Sequence, residues 1–398
     1  MAMILPAAEW RERVDLARLT DALGARDGLV RYVGGAVRDA LLDLPVSDLD
    51  LATTLLPDEV AVRVRKIGFK AVPTGIAHGT ITAVLPQGPI EITTLRRDVE
   101  THGRHATVAF TDDWREDAAR RDFTINALSA DPVDGRIHDY FGGLADVSAG
   151  LVRFIGDPLE RIAEDHLRIL RFFRFHARFG RGPADAAGLA ACTARSNDLM
   201  TLSRERIAQE LLKLLAVADP APSVALMVEH RILAPVLPEI DTAGLARLQR
   251  LVARERSYGA DPIRRLAALL PAEPALADQI GARLKLSNVQ RKRLANAADP
   301  GLADDPRALA YAVGLQGACD RLLLHDAAPE AAMATIENWV PPRFPIGGGE
   351  LVALGLTAGP IVAATLQAIE RQWIEEGFPE RLRVEQIARD AVNQALCA

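Results

Sequence analysis

The 398-residue chain changes its hydrophobic pattern near Leu159, where short strand-like runs give way to long helical ones. Beyond this point, Ala-, Leu-, Arg- and Glu-rich stretches with a helical period are separated by Pro and Gly. We therefore expect an α+β fold, with a mixed β-sheet and its helices first and an all-helical part after it. Helical patterns in the first part cover Glu9 to Leu23 and Val37 to Leu42, and strand-like runs lie at Leu29–Val33, Asp48–Ala52, Thr80–Leu85, Ile90–Leu95 and Ile125–Ala130.

Composition narrows the class of protein. Hydrophobic residues make up 49% of the chain, enough for real cores, and the net charge of −6 gives no global sign of a nucleic-acid partner. The N-terminus lacks the features of a signal peptide, and no apolar run approaches the ~20 residues of a membrane helix. Three widely spaced cysteines without a C-x-x-C pattern indicate a reducing compartment and no structural zinc. We expect a cytoplasmic protein.

The strongest chemical signal is the acidic pair Asp48 and Asp50. In a strand, residues two apart point to the same face, so the two carboxylates project side by side while Leu49 and Leu51 face the opposite way. Such a pair repels itself unless a cation lies between its members, and hard oxygen ligands suit Mg²⁺. Paired metal sites stabilise the attacking and leaving oxygens of phosphoryl displacements. The pair therefore indicates phosphate chemistry.

Glu91 is a candidate third carboxylate. It lies on a second strand-like run, on the face opposite to Ile90 and Ile92. If this strand pairs near the first one, Glu91 reaches the metal ions. The alternative is a salt bridge from Glu91 to Arg96 or Arg97.

A Gly34–Gly35 turn precedes the acidic pair. Glycines between a strand and a helix let backbone N–H groups approach phosphate oxygens, and Arg38 adds positive charge one turn into the helix. Taken alone, the two glycines are consistent with a plain tight turn. Their spacing to Asp48 and Asp50 favours a phosphate site.

The segment from Arg120 to Leu128 combines two arginines, an acid and an amide with apolar residues. Arg121 suits a triphosphate, because a guanidinium makes paired charge-assisted bonds to phosphate oxygens. Asp122 can accept hydrogen bonds from ribose hydroxyls, which favours ribonucleotides. The alternative is an Arg–Asp ion pair that caps a helix.

A stripe at three-residue spacing, interleaved with Leu and Phe, contains Asp165, Arg168, Arg171 and Arg174. A carboxylate accepts from the exocyclic amine of cytosine or adenine, and a guanidinium donates to the adjacent ring nitrogen. Uracil and guanine present the reverse pattern and would be rejected. We expect a site on one helix that accepts CTP and ATP without a nucleic-acid template.

These motifs, in this order, resemble the class II tRNA nucleotidyltransferase and bacterial poly(A) polymerase family. The resemblance covers about residues 29 to 215 and rests on G-G-x-V-R-D, D-x-D, E-I-T-T-x-R, R-R-D-F-T-I-N-A and E-D-x-L-R-x-x-R. It implies a nucleotidyltransferase head over 1–150, a helical neck over 151–215, a helical body over 216–330 and a helical tail over 331–398. It places the metal ligands on Asp48 and Asp50, a third acidic position on Glu91 and the ribose contact on Asp122. The other nucleotide contacts that it implies are Gly35, Arg38, Arg121, Asp165, Arg168, Arg171 and Arg174.

The implied reaction is template-independent addition of the 3′-terminal CCA to tRNA from CTP and ATP, with release of pyrophosphate and with Mg²⁺ as cofactor. Arg96 to Asp117, with Gly103 as a candidate hinge, supplies the flexible loop of members that switch from C to A. The runner-up is a poly(A) polymerase on the same scaffold, and a third hypothesis is an RNA-binding protein with a spent active site. The basic run from Arg283 to Arg293 is a candidate tRNA contact, with an exposed helix face as the alternative.

Overall fold

The structure, a computed structural model, describes residues 3–46, 48–76, 79–102 and 105–397. Its internal packing divides the chain into two compact units, Met1–Thr242 and Ala243–Ala398. The first unit is mixed α/β and the second is helical, so the predicted α+β class is confirmed. The finer division at residues 150, 215 and 330 stays a prediction.

A mixed β-sheet forms the centre of the N-terminal part of the first unit. Its strand order is β3-β4-β5-β2-β1-β8-β9, and a separate two-stranded sheet pairs β6 with β7. β2 runs parallel to β5, whereas its other neighbour, β1, is antiparallel to it. The strands are β1 (Val30–Val33), β2 (Asp50–Thr53), β3 (Lys70–Gly75), β4 (Thr80–Leu85), β5 (Gly88–Thr94), β6 (Arg96–His102), β7 (His105–Phe110), β8 (Ser129–Ala130) and β9 (Ile137–His138).

Helices cover this sheet and make up the rest of the first unit. They are α1 (Val14–Ala22), α2 (Gly35–Leu41), α3 (Pro57–Lys66), α4 (Trp114–Ala119), α5 (Gly143–Ala149), α6 (Pro158–Glu164), α7 (Arg168–Phe179), α8 (Ala186–Ala194), α9 (Arg204–Leu215) and α10 (Ala221–Glu229).

The amphipathic helix α7 is held against the N-terminal part by aromatic packing. Its phenylalanines are buried, and its arginines occupy the other face. The ring of Phe123 lies 4.9 Å from that of Phe154 and 5.3 Å from that of Phe175, measured between centroids. Complete burial of one such ring stabilises the fold by about 2 kcal/mol. Because Phe123 directly follows Asp122, this packing brings the Asp122 carboxylate beside the arginines of α7.

Two details of the predicted secondary structure are wrong. Ile125–Ala130 is one turn of 3₁₀ helix at Thr124–Asn126 followed by the short strand β8, rather than one strand. Ile125, Ala127 and Leu128 are all buried, and such a continuous apolar run does not distinguish a strand from another buried segment. The strand predicted at Asp48–Ala52 begins only at Asp50, so Asp48 precedes it.

The polar segment from Arg96 onwards is not an open loop. Its backbone forms the antiparallel pair β6–β7, followed by α4, whose first turn is capped by Asp113. The candidate hinge Gly103 lies outside the described residues. The role of this segment in the switch from C to A stays a prediction.

The second unit consists of helices, the first of which begins at the boundary. They are α11 (Thr242–Arg254), α12 (Pro262–Leu269), α13 (Pro274–Arg283), α14 (Asn288–Ala297), α15 (Pro306–His325), α16 (Glu330–Ile336), α17 (Gly348–Ala353), α18 (Pro360–Glu375) and α19 (Arg381–Cys397). Trp373 lies at the centre of the apolar core formed by the last three helices. No helix in the described part of the chain combines the length and the apolar character needed to cross a bilayer.

Candidate active site

A cleft of about 620 Å³ in the first unit gathers almost all of the predicted site residues. Its walls come from the glycine turn, the acidic pair, the segment after Arg120, and the helices α7 and α9. Glu91 is the one predicted site residue outside this lining. The lining residues are Gly34, Gly35, Arg38, Asp39, Asp48, Asp50, Arg121, Asp122, Asn126, Asp165, Leu167, Arg168, Arg171, Arg174, Phe175, Arg178 and Arg206.

The acidic pair shows the alternation that its pattern predicts. Asp48 and Asp50 are exposed at the cleft, whereas Leu49 and Leu51 are buried. β2 and β5 are central strands that pair in parallel with Asp50 opposite Glu91, so acidic residues of neighbouring strands lie side by side at the start of β2. Although Asp50 is exposed at the cleft, desolvation by the surrounding protein raises its pKa. The Glu91 and Asp48 carboxylates raise this pKa further, while Arg121 opposes them.

This concentration of negative charge fits a divalent cation. Among the described residues, no group of three His, Cys, Asp or Glu side chains is arranged to hold a metal ion. Two carboxylates suffice for Mg²⁺, which usually takes its remaining ligands from water and substrate phosphates. Arg97, one of the two alternative partners considered for Glu91, lies 3.8 Å from Glu116. The role of Glu91 as a third carboxylate stays a prediction.

The Gly34–Gly35 turn lies directly against two guanidinium groups. Gly34 has a φ of 65°, and a Cβ on it would lie 3.0 Å from Nη1 of Arg121. A Cβ on Gly35 would lie 3.6 Å from Nη2 of Arg38. The absence of side chains therefore leaves the backbone open to an anion between two positive charges.

Arg38 is a buried member of this site. It is 5% exposed, donates from Nε to Oδ1 of Asp39 at 2.8 Å and also bonds the side chain of Asn126. Its guanidinium stacks 4.1 Å from the ring centroid of Phe179. Burial lowers the pKa of Arg38, and the Asp39 carboxylate opposes this effect. The positive charge is therefore fixed behind the glycine turn, and direct contact with a nucleotide stays a prediction.

Arg121 is oriented by Asp117, on α4. Its Nη2 lies 3.2 Å from Oδ2 of Asp117, and Nε of Arg120 lies 3.1 Å from the other oxygen. Although burial alone would raise the pKa of Asp117, Arg121 and Arg120 hold it below its ordinary value. One buried carboxylate thus aims Arg121 at the cleft.

Asp122 is engaged on both of its oxygens. Oδ2 accepts from Nε and Nη2 of Arg171 at 2.7 and 2.5 Å, and Oδ1 accepts from Asn126 and from the backbone N–H of Phe123 at 2.9 Å. Burial would raise the pKa of Asp122, but Arg171 and these hydrogen bonds hold it below the ordinary value. Asp122 thus forms an ion pair with Arg171 of α7 and not with an arginine of its own segment, and the 3₁₀ turn that follows it has no side-chain cap. The ribose contact stays a prediction. A carboxylate offers about four acceptor positions, so a ribose hydroxyl would have to replace one of these donors.

The predicted base-reading residues lie close together, with one correction. Asp165 is not on the helix: it has an extended backbone (φ −149°, ψ 106°) after α6, and α7 begins at Arg168. Both oxygens of Asp165 accept from Nη2 of Arg206, at 3.1 and 2.8 Å. Arg168 donates to Oε2 of Glu164 at 2.5 Å and to the backbone carbonyls of residues 161 and 120.

Arg174 and Arg178 extend the basic face of α7 along the cleft. Nε of Arg174 donates to Oε2 of Glu210 at 2.6 Å, and its guanidinium lies 4.4 Å from the ring centroid of Phe175. Nη2 of Arg178 lies 3.4 Å from Asp39. Each arginine is therefore held by a carboxylate from another helix.

Sequence reasoning missed the residues that orient the predicted ones. Arg206 and Glu210 lie four residues apart on α9, a spacing that places them on one helical face towards α7. That spacing was available in the sequence, but it does not name a partner. The missed residues are Asp39, Asp117, Asn126, Arg206 and Glu210.

Comparisons with known proteins identify the family to which the chain belongs. A family profile described as the poly A polymerase head domain matches residues 30–153, and one described as the probable RNA and SrmB-binding site of polymerase A matches residues 186–243. The chain is 33% identical over 387 residues to the CCA tRNA nucleotidyltransferase 1, mitochondrial, of Mus musculus, covering 91% of this chain and 87% of that protein. It is 29% identical over 394 residues to the CCA-adding enzyme of Lacticaseibacillus paracasei, covering 96% of each.

The fold agrees as well. A crystal structure of the Bacillus stearothermophilus CCA-adding enzyme in complex with CTP superposes with a TM-score of 0.77 at 25% identity, covering 96% of this chain and 98% of that one. The family resemblance and the nucleotidyltransferase class predicted from the motifs are thereby confirmed. This chain belongs to the family of CCA-adding tRNA nucleotidyltransferases.

Proposed function

We propose that this enzyme builds or repairs the 3′-terminal CCA of tRNA, taking C from CTP and A from ATP and releasing pyrophosphate. The observation that carries the proposal is that one cleft holds a carboxylate pair, a glycine turn and the arginines of α7. The relatives named above are CCA-adding enzymes, and this chain matches them over most of their length. This similarity favours CCA addition over poly(A) synthesis.

Asp48 and Asp50 would hold Mg²⁺, and enzymes of nucleotidyl transfer generally use a divalent metal. When bound, the ion lowers the pKa of the attacking hydroxyl and neutralises charge that develops on the phosphate. The tRNA 3′-hydroxyl attacks the α-phosphate, and pyrophosphate leaves on the opposite side. Asp50 must be ionised to bind the cation, so we expect its raised pKa to limit activity in acid.

The triphosphate would lie along the basic wall of the cleft. Arg171 and Arg174 neutralise its negative charge, and Arg121 contributes from the opposite side next to the glycine turn. Glu210 and Asp117 hold Arg174 and Arg121 in place before the nucleotide arrives. Such preorganisation lowers the cost of binding.

Asp165 and Arg168 would read the base. Arg206 takes both oxygens of Asp165, and the backbone N–H of Leu167 donates to Oδ1 at 3.1 Å. With about four acceptor positions on a carboxylate, one position remains within the described structure for an exocyclic amine. Arg168 uses three of its five N–H donors, which leaves donors for a ring nitrogen. Cytosine and adenine satisfy this pair, whereas uracil and guanine do not.

In the basic run from Arg283 to Arg293, two of the arginines are paired with carboxylates of the same unit. Arg291 donates to both oxygens of Asp278, at 2.9 and 2.8 Å, and Arg293 pairs with Asp320 at 2.7 Å. Lys285 and Lys292 are exposed. We therefore propose that these two lysines contact the tRNA backbone.

The cytoplasmic location inferred from cysteine usage stays a prediction.

Product sizing and sequencing test the proposal. The enzyme is incubated with tRNA that lacks its 3′ end, together with CTP, ATP and Mg²⁺, and the added residues are counted and sequenced. CCA addition gives three residues and then stops. A long ladder of A supports the poly(A) alternative, and no incorporation supports an RNA-binding protein with a spent site.

A further inference from the structure

Asn126 forms hydrogen bonds with three of the proposed nucleotide-binding residues, Arg38, Arg121 and Asp122. Its side-chain oxygen accepts from Nη1 of Arg38, and its Nδ2 donates to Oδ1 of Asp122 at 2.9 Å. Its backbone carbonyl accepts from Nη1 of Arg121 at 3.4 Å. Through Asp122, it is one hydrogen bond removed from Arg171. Asn126 thus joins the glycine turn, the segment after Arg120 and α7.

Chemistry fixes the orientation of this amide. A guanidinium can only donate and an ionised carboxylate can only accept, so the oxygen of Asn126 must face Arg38 and its nitrogen must face Asp122. Asn126 is 8% exposed, and burial makes a lost or reversed hydrogen bond costly. Of the twenty side chains, an amide of this length supplies both an acceptor and a donor without adding charge between Arg38 and Asp122.

We propose that Asn126 is a positioning residue, which sets the orientation of Arg38 and Asp122 and, through Asp122, that of Arg171 for the triphosphate. This inference rests on the proposed function. It assigns to Asn126 no contact with the reacting atoms.

The isosteric variant Asn126→Asp tests the proposal. It keeps the acceptor for Arg38 but places a second carboxylate against Asp122, so the Asp122–Arg171 pair is disturbed while the packing is preserved. We expect the KM for CTP and the KM for ATP to rise by a similar factor, about tenfold or more. The kcat per folded molecule falls less, and the KM for tRNA does not change. These constants are measured by single-nucleotide addition to tRNA lacking its terminal C or A.

Asn126→Ala supplies a second test if Asn126→Asp does not fold. It removes both hydrogen bonds without adding charge, and it is expected to raise the same two KM values. The matched control is Asn296→Asp in the second unit, where Nδ2 donates to the carbonyl of Gly317 and no proposed nucleotide contact is involved. Its nucleotide KM values should equal those of the wild type.

The outcomes separate this inference from the proposed function. If the wild type adds C and A but neither Asn126 variant changes a nucleotide KM, the positioning role is wrong and the function stands. The role is also wrong if activity falls only in proportion to the loss of folded protein. If the wild type itself adds no nucleotide, the proposed function fails.

Discussion

Nη2 of Arg206 donates hydrogen bonds to both oxygens of Asp165, at 3.1 and 2.8 Å. This contact joins α9 to the turn before α7, and it orients the carboxylate that we propose accepts from the base amine. The side chain of Asp165 is about 29% exposed, and both Asp165 and Arg206 line the cleft. Base selection therefore depends on a residue that makes no proposed contact with the base.

We expect Arg206→Ala to weaken discrimination between nucleotides. Without Arg206, the Asp165 carboxylate can turn, and kcat/KM for CTP should fall about tenfold, the effect of one hydrogen bond to a charged group. The ratio of kcat/KM for CTP to that for UTP should fall with it. Both are measured by single-nucleotide addition, with Gln209→Ala, an exposed position on the same helix, as the control. An unchanged CTP/UTP ratio would show that Asp165 is oriented without Arg206.

The acid limit of activity should depend on the concentration of Mg²⁺. Desolvation at the cleft and the nearby Glu91 and Asp48 carboxylates raise the pKa of Asp50 above 3.8. Protons compete with the cation for the same carboxylate oxygens. At low Mg²⁺, activity should therefore fall on acidification at a higher pH than an ordinary carboxyl would cause. The midpoint of this fall should move to lower pH as Mg²⁺ is raised. Rate profiles against pH at several Mg²⁺ concentrations test this, and a midpoint independent of Mg²⁺ would argue against metal binding by Asp50.

Asp122 should contribute stability that is lost in acid. Its pKa is lower in the folded state than the unfolded value of about 3.9, so the contribution is complete above that value and disappears as the pH falls through the folded pKa. Because Asp122→Asn leaves Arg171 without its charge partner, we expect the free energy of unfolding to fall by about 3 kcal/mol at neutral pH. The difference between wild type and variant should shrink below pH of about 4. Urea unfolding of wild type and variant at neutral pH and below pH of about 4 measures this difference. A difference that does not change with pH would show that Asp122 does not couple stability to protonation.

The second unit contains a buried ionic cluster whose role we expect to be structural. Glu255, which is 1% exposed, accepts from Nε of Arg264 at 3.1 Å and also bonds Nε of Arg265. Glu255→Gln removes the charge that these two buried arginines share, so the free energy of unfolding should fall by about 3 kcal/mol. The KM values for CTP and ATP should stay at the wild-type level. Denaturant unfolding combined with steady-state kinetics tests both statements, and a changed nucleotide KM would contradict the second.

The sequence alone predicted those parts of the site that depend on the spacing of residues along a strand or a helix. Alternation predicts that Asp48 and Asp50 share an exposed face, and their exposure together with the burial of Leu49 agrees. The three-residue spacing of Arg168, Arg171 and Arg174 also places them along one cleft. Both predictions use periods of regular structure, which a single sequence records directly.

What the sequence could not supply is which charged residues are partners. Arg171 pairs with Asp122 across 49 positions, and Arg174 pairs with Glu210 across 36. Such pairs depend on how helices pack, and nothing in the local pattern distinguishes Asp122 as a partner of Arg171 from Asp122 as a ribose contact. For the same reason, Asp165 was expected on the helix that its spacing suggested, although the chain bends between α6 and α7.

Nucleotide transfer should depend on the Asp48–Asp50 pair. This dependence is measured most directly as single-turnover addition of C, by the Asp48→Asn variant, to tRNA lacking its 3′ end. The exposed Asp58→Asn serves as the matched acidic control, and tRNA affinity is measured in parallel. We expect incorporation by Asp48→Asn to fall to background, while tRNA binding and the activity of Asp58→Asn stay at the wild-type level. Undiminished incorporation by Asp48→Asn would show that the acidic pair is not needed for nucleotide transfer.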